Sequence, residues 1–264
     1  MLSSAGGLLD HWTVNSDEYD HVCYSTLVKC ISRLRTRDIA AAEKDPRYVR
    51  ILETARGLID ADPKWMGTRG LANLANSLSK LRQSESRDAV FSALAYAAMM
   101  RFEDIERGQH FSNLLHGFAS AGVAEQYEDL YVPFGDVIAK RLEQGMEFQP
   151  QNLSNIAWAY GHAGVAHTEL FDALAREIVP RVSEMKEQHL SNSVLGCAKT
   201  GYRNEGLLDA IAEEAAGRPA STSSSFAHPS DVHHKPAMPS IYSLPLSSKT
   251  RIPLPLRITI GPVS

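Results

Sequence analysis

A phrase of five residues returns along the chain at nearly constant intervals. RGLAN at 69–73, QHFSN at 109–113, QNLSN at 151–155 and QHLSN at 188–192 share a polar first residue, a bulky apolar third, a small fourth and a final Asn. The steps between Asn73, Asn113, Asn155 and Asn192 are 40, 42 and 37 residues. A repeat of this length is one helical hairpin, a unit that cannot bury its apolar face alone and must stack on its neighbours. It predicts an all-α protein, an α-solenoid of helical-hairpin repeats.

Each unit has the same anatomy. A first helix, A, begins near the phrase and stops about nine residues after the Asn, at Gly122, Gly164 and Gly201 in three of the units. Glycine just past a helix is the usual left-handed stop. A second helix, B, follows; Pro133 and Pro180 are expected to kink or shift two of these. Four repeats are predicted over 66–217. The stretches YDHVCYSTLVKCISRL and PRYVRILETARGLIDADP form a degenerate hairpin over 19–65, and residues 1–18 are expected to be disordered. From 218 to 264 the chain is rich in Pro and Ser, so a disordered tail is predicted.

A helical wheel with the Asn at zero divides helix A into faces. Two before, two after and five after the Asn lie Leu71, Phe111, Leu153, Leu190, Ala75, Leu115, Ala157, Val194, Leu78, Phe118, Tyr160 and Cys197, the face expected against helix B. The flanks are small: Ala72, Ser112, Ser154 and Ser191 on one side, and Ser77, Gly117, Ala159 and Gly196 on the other. Small flanks let A helices line up side by side. The remaining face carries three polar columns. They are Arg69, Gln109, Gln151 and Gln188, then the four Asn residues, then Lys80, Ser120, His162 and Lys199, with His116 and Trp158 at the edge. No acid stands in these columns.

The charge is split between layers. Residues 66–218 hold 14 Lys+Arg against 20 Asp+Glu, and the whole chain has a net charge of −4, so the overall balance gives no hint of nucleic acid. The acids fall on the B helices and loops, among them Glu128, Asp129, Asp136, Glu169 and Asp172. An acid-free face of amides, a few cations and an aromatic suits contact with a nucleic-acid strand.

The stretch QNLSNIAWAYGHAGV resembles the Q-x-L-A-N-x-x-W-A-x-A-x-x-G helix of octotricopeptide-type repeats, found in organellar RNA-binding proteins. RGLANLANSLSKL, QHFSNLLHGFASAG and QHLSNSVLGCAKTG are similar to it. The resemblance implies a right-handed α-solenoid whose concave A-helix face binds single-stranded RNA. It implies a role in processing, stability or translation of mitochondrial or chloroplast transcripts. It marks Arg69, Asn73, Lys80, Gln109, Asn113, Gln151, Asn155, Trp158, His162, Gln188, Asn192 and Lys199 as RNA-facing candidates. Asn76, His116 and Leu195 stand where the family has Trp.

Other readings of the same residues stand beside this one. The Asn column can instead bond the backbone of the neighbouring repeat, and the Gln column can cap its own helix. Trp158 is expected to be wedged between repeats rather than stacked on a base. The same face can also serve a helical-repeat scaffold for protein partners. No apolar run is long enough for a membrane span. The N-terminus is acidic, with no Lys or Arg before Lys29, which departs from an organelle transit peptide. Neither a GxxxxGK[ST] loop, a GxSxG elbow nor an HExxH helix is present, so no enzyme activity, cofactor or metal is expected. His162 and His167 are spaced wrongly for two ligands on one helical face, and Asp231, His233 and His234 lie in the predicted tail.

Overall fold

The computed structural model describes residues 4–218. It contains α1 (Ala5–Asn15), α2 (His21–Ile31), α3 (Thr36–Glu43), α4 (Pro46–Ala61), α5 (Thr68–Leu78) and α6 (Glu85–Met99). There follow α7 (Gly108–Ser120), α8 (Glu128–Glu143), α9 (Pro150–Ala163), α10 (Thr168–Ile178), α11 (Glu187–Thr200) and α12 (Glu205–Gly217). No strand occurs among the described residues. The predicted tail, with Asp231, His233 and His234, lies outside them apart from Arg218.

The A helices are α5, α7, α9 and α11, and they pack side by side in chain order, with α2 ahead of α5. The second helices form the other layer, where α4 meets α6 and α8 meets α10. This is the α-solenoid of helical hairpins that the period predicts. The core lies between the layers. Phe111, Phe118, Leu153, Tyr160 and Leu71 are all at most 2 % exposed, as the wheel requires, whereas Val194, expected on the same face, is 36 % exposed. Burying each such side chain contributes about 1.5–3 kcal/mol.

The flanks behave as spacers. Gly117 of α7 sits directly on the backbone of Ala75 and Asn76 in α5, and Gly196 of α11 on that of Ala157 in α9. The residue after each Asn, namely Leu74, Leu114, Ile156 and Ser193, is at most 1 % exposed.

Local signals set the helix ends. Gly122, Gly164 and Gly201 have φ of 74°, 69° and 71°, so the glycine stops adopt the left-handed conformation. The next residue closes each stop. The N–H groups of Val123, Val165 and Tyr202 donate to the carbonyls of Phe118, Tyr160 and Cys197, forming the six-to-one bond of a Schellman motif. Pro180 ends α10 at Ile178, and the chain continues as a 3₁₀ turn over Val179–Glu184. Pro133 is accommodated inside α8, one turn and a half from its start.

A column of arginines, silent in the sequence, ties each B helix to the start of its own A helix. Arg101 donates to the Met66 carbonyl at 2.8 Å, Arg181 to Phe148 at 2.9 Å and Arg141 to Glu103 at 2.8 Å. Arg218 donates likewise to Met185. Met66, Phe148 and Met185 are themselves buried just ahead of the A helices.

The N-terminal expectation is corrected. Residues 5–15 are helical, not disordered. Ser4 caps α1 by accepting from the Gly7 N–H at 3.2 Å, and Ala5, Leu8, Leu9 and Trp12 are buried. The helix packs on α2, α3 and α4 and so covers the first hairpin. The degenerate hairpin also holds a third helix, α3, between α2 and α4.

Candidate nucleic-acid interface

The polar columns lie on the face of the A layer that turns away from the B helices. Arg69, Gln109, Gln151 and Gln188 are exposed, and Asn73, Asn113, Asn155 and Asn192 are half-buried. Lys80 and Lys199 are exposed, and Trp158 and His162 half-buried. None of the twelve candidates is in the core.

The four Asn side chains make no hydrogen bond to protein among the described residues, nor do Gln109, Gln151 and Gln188. The helix-side polar bonds nearby belong to other groups. Ser77 donates to the Asn73 carbonyl at 2.7 Å, and Ser154 to the Gln151 carbonyl at 3.1 Å. The amide that caps α9 is Asn152, which accepts from the Gln149 N–H at 3.0 Å. The inter-repeat bond and the capping bond that a packing role would give these columns are therefore absent. Four Asn and three Gln side chains stand in rows with free donors and acceptors.

Trp158 is engaged within the protein. Its ring lies 5.0 Å from His116 of the preceding A helix and 3.8 Å from His162 of its own, at interplanar angles of 31° and 32°. His162 Nδ1 lies 2.9 Å from the Trp158 carbonyl, a distance that fits donation of its proton. The wedge position expected of Trp158 is what the geometry gives.

Both imidazoles bind a proton less readily than a free one. Burial first, then the charges of Lys80 and His162, push the His116 imidazole down to about 4 from 6.5. Burial also lowers His162, with Lys199 adding to the effect against an opposing bond to the Trp158 carbonyl. The folded pKa lies below the unfolded value, so the unfolded chain binds more protons between them. The stability contributed by neutral His116 is therefore complete above pH 6.5 and is lost as pH falls towards 4. The urea midpoint is expected to drop on acidification through this window, and less so in His116→Asn. Equal drops in the two proteins would disprove the assignment.

The cations of this face are unpaired. Lys80, Arg69 and Lys199 have no carboxylate within ion-pair distance among the described residues, whereas most other arginines do. Sequence reading missed two more, Lys29 and Arg33 of the first hairpin. The burial pattern puts α2 in the register of the A helices. Ser25 is buried at the small flank position of Ala72 and Ser112, Ser32 at the position that carries Ser79, Ala119, Gly161 and Ala198 in the repeats, Leu27, Val28 and Ile31 at the apolar ones, and Thr26 stands where the others have Asn. Lys29 then falls in the Trp column and Arg33 in the Lys80 column. The serine pair seven residues apart was the available signal.

Cys197 is buried, and burial pushes its thiol up to about 11. Buried His167 caps α10 by accepting from the Leu170 N–H at 3.2 Å, and its Nε2 lies 3.2 Å from Asp136. No group of three or more His, Cys, Asp or Glu among the described residues is placed to hold a metal. No helix there is long and apolar enough to cross a membrane.

No protein-family model matches the chain, and comparison with curated proteins finds no match.

Proposed function

We propose that the open face of the A layer binds single-stranded RNA. The observation that carries this reading is the row of seven side-chain amides with no protein partner, set in a face free of acids and bordered by unpaired cations. Asn and Gln present donor and acceptor on one planar group, which suits the edges of unstacked bases. Lys and Arg suit the phosphates. The resemblance to octotricopeptide-type repeats supports transcripts of a mitochondrion or chloroplast as targets, with a role in their processing, stability or translation.

The test is binding of a labelled single-stranded RNA pool at low salt. Gln151→Ala with Asn155→Ala is expected to weaken binding by about tenfold, on the order of 1.4 kcal/mol for two bonds in a desolvated contact. Helix content and melting should stay unchanged, because neither amide bonds the protein. Early melting of the double variant would instead assign the columns to packing.

A scaffold for a protein partner is the second reading. The exposed apolar pair Val194 and Leu195 on α11, 36 % and 39 % exposed, favours it. Absence of RNA binding by the intact protein at low salt would leave this reading in place of the first.

A further inference from the structure

The RNA reading treats the interface as four equivalent repeats. The cations are not distributed that way. Two of the four charges in the Trp and Lys80 columns, Lys29 on α2 and Arg33 just past its end, come from a helix that the repeat phrase does not reach, and a third, Lys80, lies just beyond the end of α5, which packs beside it. Lys29 stands in the last turn of α2, and Arg33 follows in the turn just past its end. The middle of the rim is uncharged at neutral pH: Ser120, His116 and Trp158, then His162 with its lowered affinity for protons. Lys199 stands alone at the other end.

We infer that Lys29, Arg33 and Lys80 form a phosphate-binding cluster at the C-terminal ends of α2 and α5, gripping the backbone of a single-stranded RNA whose bases meet the amide columns.

Three observations point to an anionic ligand. First, the cluster has no acid of its own. The nearby carboxylates of the first hairpin are used elsewhere: Glu43 accepts from the Arg82 N–H at 2.6 Å, Asp38 pairs with Arg35 at 3.2 Å and Asp45 with Arg47 at 2.8 Å. Second, α2 packs on α5, and Arg33 and Lys80 each follow the C-terminal end of one of these neighbouring helices, at the same position of the repeat. Lys80 is held below its ordinary affinity for protons by burial first, then by Arg33 and then by Lys29. Third, helix-end electrostatics do not account for the group. A cation at a helix C-terminus gains about 0.3–1 kcal/mol from the macrodipole. That favours a cation at each end but not three converging without a counter-ion. A phosphodiester relieves the repulsion and reaches the cluster from the solvent side, where Arg33 and Lys80 are exposed.

This inference rests on the RNA reading, and one experiment separates their failures. Binding of a labelled single-stranded RNA pool to the full chain is followed across a salt titration. The variant Lys29→Gln, Arg33→Gln, Lys80→Gln is compared with a control that loses the same charge elsewhere, Lys44→Gln, Arg50→Gln, Lys140→Gln. The rim variant is expected to bind about tenfold more weakly at low salt. Its slope of log K against log salt should be shallower by about 2, from three phosphate contacts at about 0.7 each. The single variant Lys80→Gln should shift the slope by about 0.7, which keeps the test valid should the triple variant fold poorly. If the intact chain binds no RNA, both readings fall. If it binds and the rim variant keeps the parent slope, or the control shifts it equally, the cluster falls and the RNA reading stands.

Discussion

Gly117→Ala should destabilise the protein by about 2 kcal/mol, while the same substitution at Gly57 should stabilise it by roughly 0.5–1 kcal/mol. Both glycines lie inside helices, so helix propensity favours alanine at each by up to about 1 kcal/mol. What differs is the space. A Cβ on Gly57 meets nothing within 4 Å, whereas on Gly117 it would stand 2.7 Å from the Ala75 carbonyl carbon and 2.9 Å from the Asn76 nitrogen. Those atoms belong to the backbone of α5 and cannot swing aside. The added methyl must push α5 and α7 away from each other, and overpacking of this kind costs about 1–3 kcal/mol, outweighing propensity. Gly196 repeats the arrangement, with a Cβ 2.5 Å from the Ala157 carbonyl carbon. Gly196→Ala should loosen the α11–α12 hairpin first, read as faster amide exchange in α11 and α12 with α5 and α7 unaffected. Urea denaturation and hydrogen exchange check both. Stabilisation by Gly117→Ala would mean that the A helices do not touch where the structure puts them.

Arg87→Met should cost about 3 kcal/mol. The guanidinium is 3 % exposed and ties two hairpins together. It donates to the Leu81 carbonyl just beyond α5 at 3.1 Å and to the Ala121 carbonyl at the end of α7 at 3.3 Å. It also pairs with Asp88 at 2.8 Å and lies 5.6 Å from the Phe91 ring centroid. Methionine keeps much of the volume and removes every donor. The carbonyls then lose charge-assisted bonds, while Asp88 turns to water. That relief keeps the cost at the lower end of the range for breaking a buried ion pair. Arg87→Lys should recover less than half, because one ammonium cannot span sites that a planar fork reaches together. A change below about 0.5 kcal/mol in Arg87→Met would remove the staple from the account of stability.

The repeat architecture was legible because it rests on local, periodic information. Leu71, Phe111, Leu153 and Leu190 fall on one stripe at any tertiary arrangement, and Gly122, Gly164 and Gly201 stop helices by their own backbone freedom. The columns of the candidate interface followed from the same wheel, since a residue opposite a buried stripe has few places to go. The first hairpin was read less well. Residues 1–18 carry two glycines at the start of α1 and no amphipathic charge pattern, so only burial of Leu8, Leu9 and Trp12 against α2, α3 and α4 makes a helix there. Lys29 and Arg33 were missed for a related reason. Their helix lacks the repeat phrase, and only the packing of α2 against α5 reveals its register.

The sequence by itself determined the helical hairpin, its period, the small flanks that allow close stacking and the absence of acids from the polar columns of the A helices. Each depends on the order of residues along one or two helices. The tertiary structure decided which polar groups are consumed and which remain available. Arg87, Arg101, Arg141, Arg181 and Arg218 are spent on carbonyls of other segments, from 6 to 38 residues away in the chain. The Asn and Gln side chains of the columns and the Lys29–Arg33–Lys80 group have no hydrogen-bond or ion-pair partner among the described residues. No local pattern distinguishes these two sets, because a hydrogen bond between distant segments exists only once both have been placed.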